Sequence, residues 1–353
     1  MVDVTLNVPM NADPTIRSGP QPACIVCGAQ GAPLYADLDD RLFGTSGQWS
    51  FRRCGNSGCG LLWLDPMPLE EDIHKAYASY YTHAPRQGGG GLLRRLFDSA
   101  KRGYLANHYG YATGAGARLL GLLPWFYPGR TAELDFSVMW LEAGSRGRLL
   151  DVGAGSGWLV EHMNTLGWQA EGLDFDPQSV ASARARGLVF HQGGLPQQHF
   201  AEASFDAVTL SHCIEHVHDP LAWLAEARRI LKPGGRLALA TPNNASFGHS
   251  TFGESWFALD PPRHLHLFNS AAMTTLMQRA GFTNFRVFTS IRDANGTFIA
   301  SRAIRSAGKF DMLAPVGAMN KLAGRGMQLI EALVGVARPD AGEDLVVLAE
   351  RDA

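Results

Sequence analysis

The alternation of apolar and polar positions divides the chain in two. From residue 148 onward, short apolar runs alternate with stretches of helical period. The runs are Arg148–Val152, Gln169–Leu173, Leu188–Phe190, Asp206–Leu210, Arg236–Ala240, Asn284–Ser290 and Leu345–Ala349. Such runs suit strands buried on both faces of a sheet. The segment Pro220–Leu231 carries Leu221, Leu224, Ala227 and Ile230 on one helical face. Strand and helix in turn predict an α/β fold: a doubly wound, mostly parallel, Rossmann-like sheet of seven strands. Residues 291–343 interrupt the last strand pair with helical material, so the domain is drawn as 146–353 with that insertion.

Before residue 146 the pattern changes. Residues 1–22 are polar and aperiodic, a flexible tail. Residues 23–68 hold short apolar pieces around glycine turns, among them Leu34-Tyr35, Trp49-Ser50-Phe51 and Leu61–Leu64. Residues 69–145 read as a helical cap or linker. The stretch Glu70–Tyr81 opens acidic, as a first helical turn prefers, and Gly88–Gly91 reads as a hinge. The runs 92–111 and Leu119–Tyr127 are rich in Leu, Phe, Trp and Tyr. Helices packed on the main domain are the favoured reading, because aromatic stripes mostly build cores. A cap over an apolar or ring-shaped acceptor is the sharper alternative, and peripheral membrane contact a third.

Cysteine spacing sharpens the N-terminal module. Cys24-Ile-Val-Cys27-Gly28 and Cys54-Gly-Asn-Ser-Gly-Cys59-Gly60 are two cysteine pairs in glycine-bearing turns. Two such turns wrap one ion tetrahedrally, and Zn²⁺ prefers four thiolates in structural sites. Cys24, Cys27, Cys54 and Cys59 are therefore the expected metal ligands of a zinc-ribbon-like module. No basic run followed by an apolar core marks a signal peptide, so close pairs read as metal ligands and the location as cytoplasmic. No run of about 18 apolar residues predicts a membrane span. The net charge of −2 offers no global field for nucleic acid or anionic lipid.

The first strand runs into Asp151-Val152-Gly153-Ala154-Gly155-Ser156-Gly157, and a helix follows. Strand, glycine turn and helix form a nucleotide-type cradle, where the backbone must turn sharply and a ligand must approach it. The pattern is GxGxG led by an acid, unlike the GxGxxG of dinucleotide sites. Ligands of doubly wound sheets bind beyond the carboxyl ends of the strands. Those ends carry Asp174, then Gly193-Gly194-Leu195, then Ser211, His212, Glu215 and His216, then Thr241-Pro242-Asn243. Asp174, 21 residues past Gly153, can accept both hydroxyls of a ribose.

Taken in order, LLDVGAGSG, GLDFDP, SFDAVTLSHCIEHVHDP, LKPGG and ATPN resemble the class I S-adenosylmethionine-dependent methyltransferases over residues 147–290. DPPRHLHLF and QRAGF look like the subgroup linked to glycan, lipid or natural-product methylation. The resemblance implies that Asp151, Gly153, Ala154, Gly155 and Gly157 hold the methionine part of S-adenosylmethionine. It implies that Asp174 and Phe175 hold the ribose side, and that Gly194, Leu195 and His212 flank adenine and thioether. Gly194 stands where many relatives have an acid for the adenine amino group. This donor has no phosphate, which agrees with a loop built for close backbone approach rather than a phosphate cradle.

Methyl transfer to a hydroxyl needs a base, whereas an activated carbon or amine needs less. O-methylation of a small-molecule, sugar, glycan or lipid-like acceptor is the favoured reading, with C-methylation open. His216 and His264 rank first as bases, followed by His212, Glu215 and His266. His264 and His266 belong to a loop expected to close over the acceptor. His212-Cys-Ile-Glu215-His216 also matches HxxEH, but a peptidase would need it on a central helix. A divalent ion on these residues is a milder variant. Trp256, Tyr104, Tyr109 and Tyr111 are candidates to stack on an acceptor ring, with packing as the default. Two further functions compete. RNA as acceptor is disfavoured because residues 1–110 hold ten Lys/Arg against ten Asp/Glu. A non-catalytic binder recruiting a partner through the zinc module is the other.

Overall fold

The structure is a computed structural model and describes residues 15–77 and 92–352. The first 14 residues of the expected tail, the end of the expected 70–81 helix and Gly88–Gly91 lie outside them. The chain enters through β1 (Ser18–Gly19), β2 (Gly31–Leu38), β3 (Trp49–Cys54), β4 (Leu62–Leu64) and β5 (Met67–Pro68). Helices α1 (Leu92–Tyr109), α2 (Ala115–Leu120) and α3 (Pro128–Phe136) follow. The alternating region holds β6 (Arg148–Val152), α4 (Trp158–Thr165), β7 (Gln169–Asp174), α5 (Pro177–Ala185) and β8 (Phe190–Gln192). It continues with β9 (Phe205–Ser211), α6 (Pro220–Ile230), β10 (Leu231–Pro242), α7 (Phe247–Phe252), β11 (His266–Leu267) and α8 (Ser270–Arg279). It closes with β12 (Asn284–Ser290), α9 (Ala294–Ala307), α10 (Ala318–Ala337) and β13 (Asp344–Glu350).

The main sheet has the order β12-β13-β10-β9-β6-β7-β8. The run β10-β9-β6-β7-β8 is parallel, and β13 is antiparallel to both neighbours. The chain winds outward from β6 through β7 to β8, then returns to β9 on the other side. The switch point therefore falls between β6 and β9, where such sheets bind ligands. Alternation along the strands feeds two cores. Leu150, Val152, Leu237 and Leu239 join α6 and α8 on one face, while Leu149, Ala238 and Ala240 join α1, α3 and α4 on the other.

Several expectations need correction. Residues 15–22 are not tail: β1 pairs with β5, and Arg17 binds the Asp72 carboxylate (Nε–Oδ2 2.7 Å). The expected 70–81 helix reduces, within the described residues, to one 3-10 turn at Ile73–Tyr77. The third strand begins two residues late. Gly187, at φ 81°, ends α5 and lets the Leu188 N–H return to the Ala183 carbonyl (3.2 Å). Lys232–Gly235 is not a turn before the fifth strand but a bulge inside β10, between the pairs Leu231–Phe205 and Arg236–Ala207.

The N-terminal module shares its core with the sheet. A second sheet, β11-β4-β3-β2, takes its edge strand from the far end of the chain: His266 pairs with Trp63, and Leu267 with Leu62. Phe51, Leu61, Leu62, Trp63 and Leu64 lie in the same apolar cluster as Leu150, Val152 and Leu210. The His264–His266 loop is correspondingly walled in. His266 is fully buried, and its strand is paired against Trp63 of β4, which removes it from the candidate bases.

Candidate functional site

The β6–α4 turn has the backbone its sequence implies. Gly153 and Gly155 take φ of 72° and 49°, which β-carbon-bearing residues rarely adopt. A Cβ at 153 would meet Cys213 Sγ at 2.9 Å, so the loop there lies flat on the start of the β9 turn. A Cβ at 155 would meet no protein atom within 4 Å, so that side of the turn is open for a ligand to lie against the backbone. Asp174 ends β7 opposite it. One carboxylate oxygen accepts from the Gly155 N–H (2.7 Å) and the other from the Asp176 N–H (2.9 Å). Both oxygens are thus fixed in place at the carboxyl end of β7. This fits an adenosyl donor.

Asp151 lies beneath the turn, 3% exposed, and accepts from Thr209 Oγ1 (2.7 Å). Burial pushes its pKa up to about 7, partly offset by the Thr209 hydrogen bond and reinforced by the charge of Asp174. The Ala154 N–H bonds to the Leu173 carbonyl (3.0 Å), and Leu195 is fully buried in the core. Phe175 is half exposed and meets the ring of Tyr77 edge-on at 5.3 Å. A Cβ at Gly194 would press on Gln197 Oε1 at 2.5 Å, so Gln197 occupies the space of the missing acid.

The end of β9 gathers the titratable groups. His212 has φ 48°, and its Nε2 accepts from Arg292 Nη2 (2.8 Å). Arg292 also binds Asp344 (3.1 Å) and Asp293, so a guanidinium already fills the His212–Asp293–Asp344 cluster. Glu215 is fully buried; its Oε2 accepts from Thr241 Oγ1 (2.9 Å), and its Oε1 has no hydrogen-bond partner. Burial alone would raise Glu215. The polar contact with His212 Nδ1 (3.4 Å) and the imidazoles of His216 and His264 outweigh it, bringing the pKa to about 2. One donor atom each of Glu215, His216 and His264 lie within 4.8 Å of one another. The rings of His216 and His264 meet edge to face at 4.7 Å. His264 Nδ1 donates to the Ala258 carbonyl (2.7 Å) and His216 Nδ1 to the Arg263 carbonyl (3.0 Å), which leaves Nε2 of each as the basic nitrogen. Burial holds both imidazoles neutral, with His216 brought to about 4.

Other side chains of this region were not singled out from the sequence. Tyr77 places its hydroxyl 3.0 Å from His216 Nδ1. Arg263, fully buried, clasps both oxygens of Asp40 (2.7 and 2.8 Å) and holds Asp260. Asp40 lies in the β2–β3 loop, so the zinc-ribbon-like module fixes the loop whose carbonyl orients His216. A buried arginine needs an acid, which is the signal that the loop's Pro261-Pro262-Arg263 offered. The aromatic candidates resolve as packing. Tyr104 and Tyr109 donate to Asp135, Tyr111 to the Leu141 carbonyl, and Trp256 to Glu343.

The four cysteines converge. Cys24 and Cys59 sulfurs stand 3.7 Å apart and Cys27 and Cys54 sulfurs 3.4 Å, with all four within 4.8 Å. Tetrahedral Zn–S bonds of about 2.3 Å give edges of roughly 3.8 Å, so the size and chemistry of this donor set fit zinc. Arg279 of α8 donates to the carbonyls of Ile25 and Val26 (2.8 and 2.6 Å), docking the first knuckle on the main domain.

Residues 130–287 match the model of a methyltransferase domain family. The ubiquinone biosynthesis O-methyltransferase of Xanthomonas oryzae pv. oryzae is 38% identical over 171 residues, 46% of this chain and 68% of that protein. The enzyme of the same name from Xanthomonas axonopodis pv. citri is 32% identical over 194 residues, 50% of this chain and 76% of that protein. A solved S-adenosylmethionine-dependent methyltransferase of Mesorhizobium loti is 19% identical, covers 62% of this chain and 98% of its own, and has a TM-score of 0.42. By its likeness to the two Xanthomonas enzymes, with the parallel sheet and the cradle between Gly155 and Asp174, the chain belongs to the class I S-adenosylmethionine-dependent methyltransferases.

Proposed function

We propose that the chain methylates a hydroxyl of a small, lipid-like or ring-bearing acceptor, with His216 and His264 as the base and Glu215 as its counter-ion. The observation that carries this is the His216–His264 pair: two neutral imidazoles, each with Nδ1 anchored on a carbonyl, beside one buried carboxylate. The relatives named as O-methyltransferases support a hydroxyl acceptor, and the ubiquinone in their name supports a lipid-like one. Bound S-adenosylmethionine supplies an electrophilic methyl group on its sulfonium. Asp174 holds the ribose and the backbone at Gly155 the methionine part. Asp151 faces the ammonium, and the backbone at Gly194 and Leu195 flanks the adenine. The acceptor O–H passes its proton to an imidazole Nε2, and Glu215 stabilises the imidazolium that forms. The four cysteines hold a structural zinc.

Transfer of labelled methyl to hydroxylated aromatic lipids, with mass localisation of the product, tests the reading. His216→Asn or His264→Asn should lower kcat by about 10²–10⁴ while donor affinity holds. Full turnover by both variants would remove the base role. Loss of activity in chelator, restored by Mg²⁺ with the zinc intact, would replace the base by a metal on the same residues.

A further inference from the structure

Helix α10 is packed inside out. Counted at 3.6 residues per turn, Leu322, Leu329, Leu333 and Val336 form one stripe, flanked by Met319 and Ile330. All six are exposed, Leu333 by 72% and Val336 by 83%. The opposite face is polar or small, and it is the buried one: Gly324, Gln328 and Glu331. Gly324 admits Asn295, whose Oδ1 a Cβ there would strike at 2.1 Å. Gln328 donates to the carbonyls of Ile291 and Arg292 (2.8 and 3.0 Å) and accepts from the Tyr127 hydroxyl (2.6 Å). Glu331 accepts from the Glu343 N–H (2.9 Å). An amphipathic helix of a water-bathed protein does the reverse.

The Tyr127–Gln328 bond joins α10 to a second apolar surface. The turn between α2 and α3 exposes Leu122, Leu123, Trp125 and Phe126, the last by 86%. Arg130 of α3 lies over the Phe97 ring of α1 at 4.6 Å, so α1 borders the same region. The charge here opposes that of the chain. Residues 92–137 and 318–338 together hold nine Lys/Arg against four Asp/Glu, while the whole chain carries −2. Two of those acids are spent internally, Asp135 on tyrosine hydroxyls and Glu331 on a backbone N–H. Arg94, Arg102, Arg118, Lys321, Arg325 and Arg338 are exposed.

We propose that α10 and the α2–α3 turn form a peripheral docking surface for an anionic lipid bilayer. An apolar stripe with a tryptophan at its margin, surrounded by cations, is what an interfacial element needs. Among the described residues no helix is long and apolar enough to cross a membrane, so contact is in the plane of the surface. The proposal stands apart from the acceptor's identity.

Flotation of the full chain with vesicles of phosphatidylcholine, alone or mixed with phosphatidylglycerol, tests it. Binding to the mixed vesicles is expected, weaker without phosphatidylglycerol and weaker again in high salt. Leu322→Ser with Leu333→Ser should reduce binding about tenfold or more, and Lys321→Glu with Arg325→Glu should remove the preference for anionic lipid. S-adenosylmethionine affinity unchanged in both pairs shows that the fold is intact. No flotation of the unaltered chain with either vesicle overturns the proposal. So does flotation indifferent to both pairs, or a concentration-dependent dimer that the leucine pair abolishes, which would assign the face to a second copy of the chain.

Discussion

With the proposed role at the donor's ammonium, Asp151 would turn donor binding into a function of pH. Its carboxyl, held near 7 by burial, is half protonated at neutrality, yet only the carboxylate attracts an ammonium. Affinity for S-adenosylmethionine should rise from pH 6 to 8 and level above, a rise that calorimetry would find missing in Asp151→Asn. The same shift acts on stability in the opposite direction. Between its ordinary value and about 7 the folded chain keeps a proton that the unfolded chain has lost, so this group's stabilisation fades as pH rises through that window. The Arg263–Asp40 pair makes a second residue-scale prediction. Asp40→Ala leaves the buried guanidinium with Asp260 as its remaining carboxylate and should cost about 3–5 kcal/mol in denaturant unfolding, whereas Asp40→Asn, which keeps an acceptor for the guanidinium, should cost less. The pair was not legible in the sequence, because the two residues are 223 positions apart and nothing local couples them.

At the scale of elements, the legible parts are those whose signal is local. Asp176 before Pro177 and Asp219 before Pro220 cap α5 and α6, as an acid ahead of proline should. The glycine turn is legible for the same reason. Gly155→Ala should abolish donor binding out of proportion to its effect on folding: the positive φ costs about 1–2 kcal/mol, a few degrees of melting temperature, while the Cβ enters space that no protein atom fills. The elements read wrongly were decided at a distance. The acidic start at Glu70 signalled a helix, but the Asp72 carboxylate is drawn to Arg17, and within the described residues only a 3-10 turn remains. The cluster around His216 was half legible: its histidines lie beside strand ends, but Tyr77 reaches it from outside the methyltransferase motifs.

For the whole molecule, the shared core predicts one unfolding event. Stripping the proposed zinc from the four cysteines should lower the melting temperature of the entire chain, on the order of ten degrees, in a single calorimetric transition. Two separated transitions would show that the module melts by itself. The pairing of β11 with β4 underlies this, and it reaches further. Residues 130–287 carry the family's motifs, but they leave out β13, which stands between β10 and β12, and β4, the partner of β11. A gene segment cut to the motifs would thus encode two strands without their neighbours. In this chain the catalytic region therefore draws the neighbours of two of its strands from the cysteine module and from the last seven-residue strand.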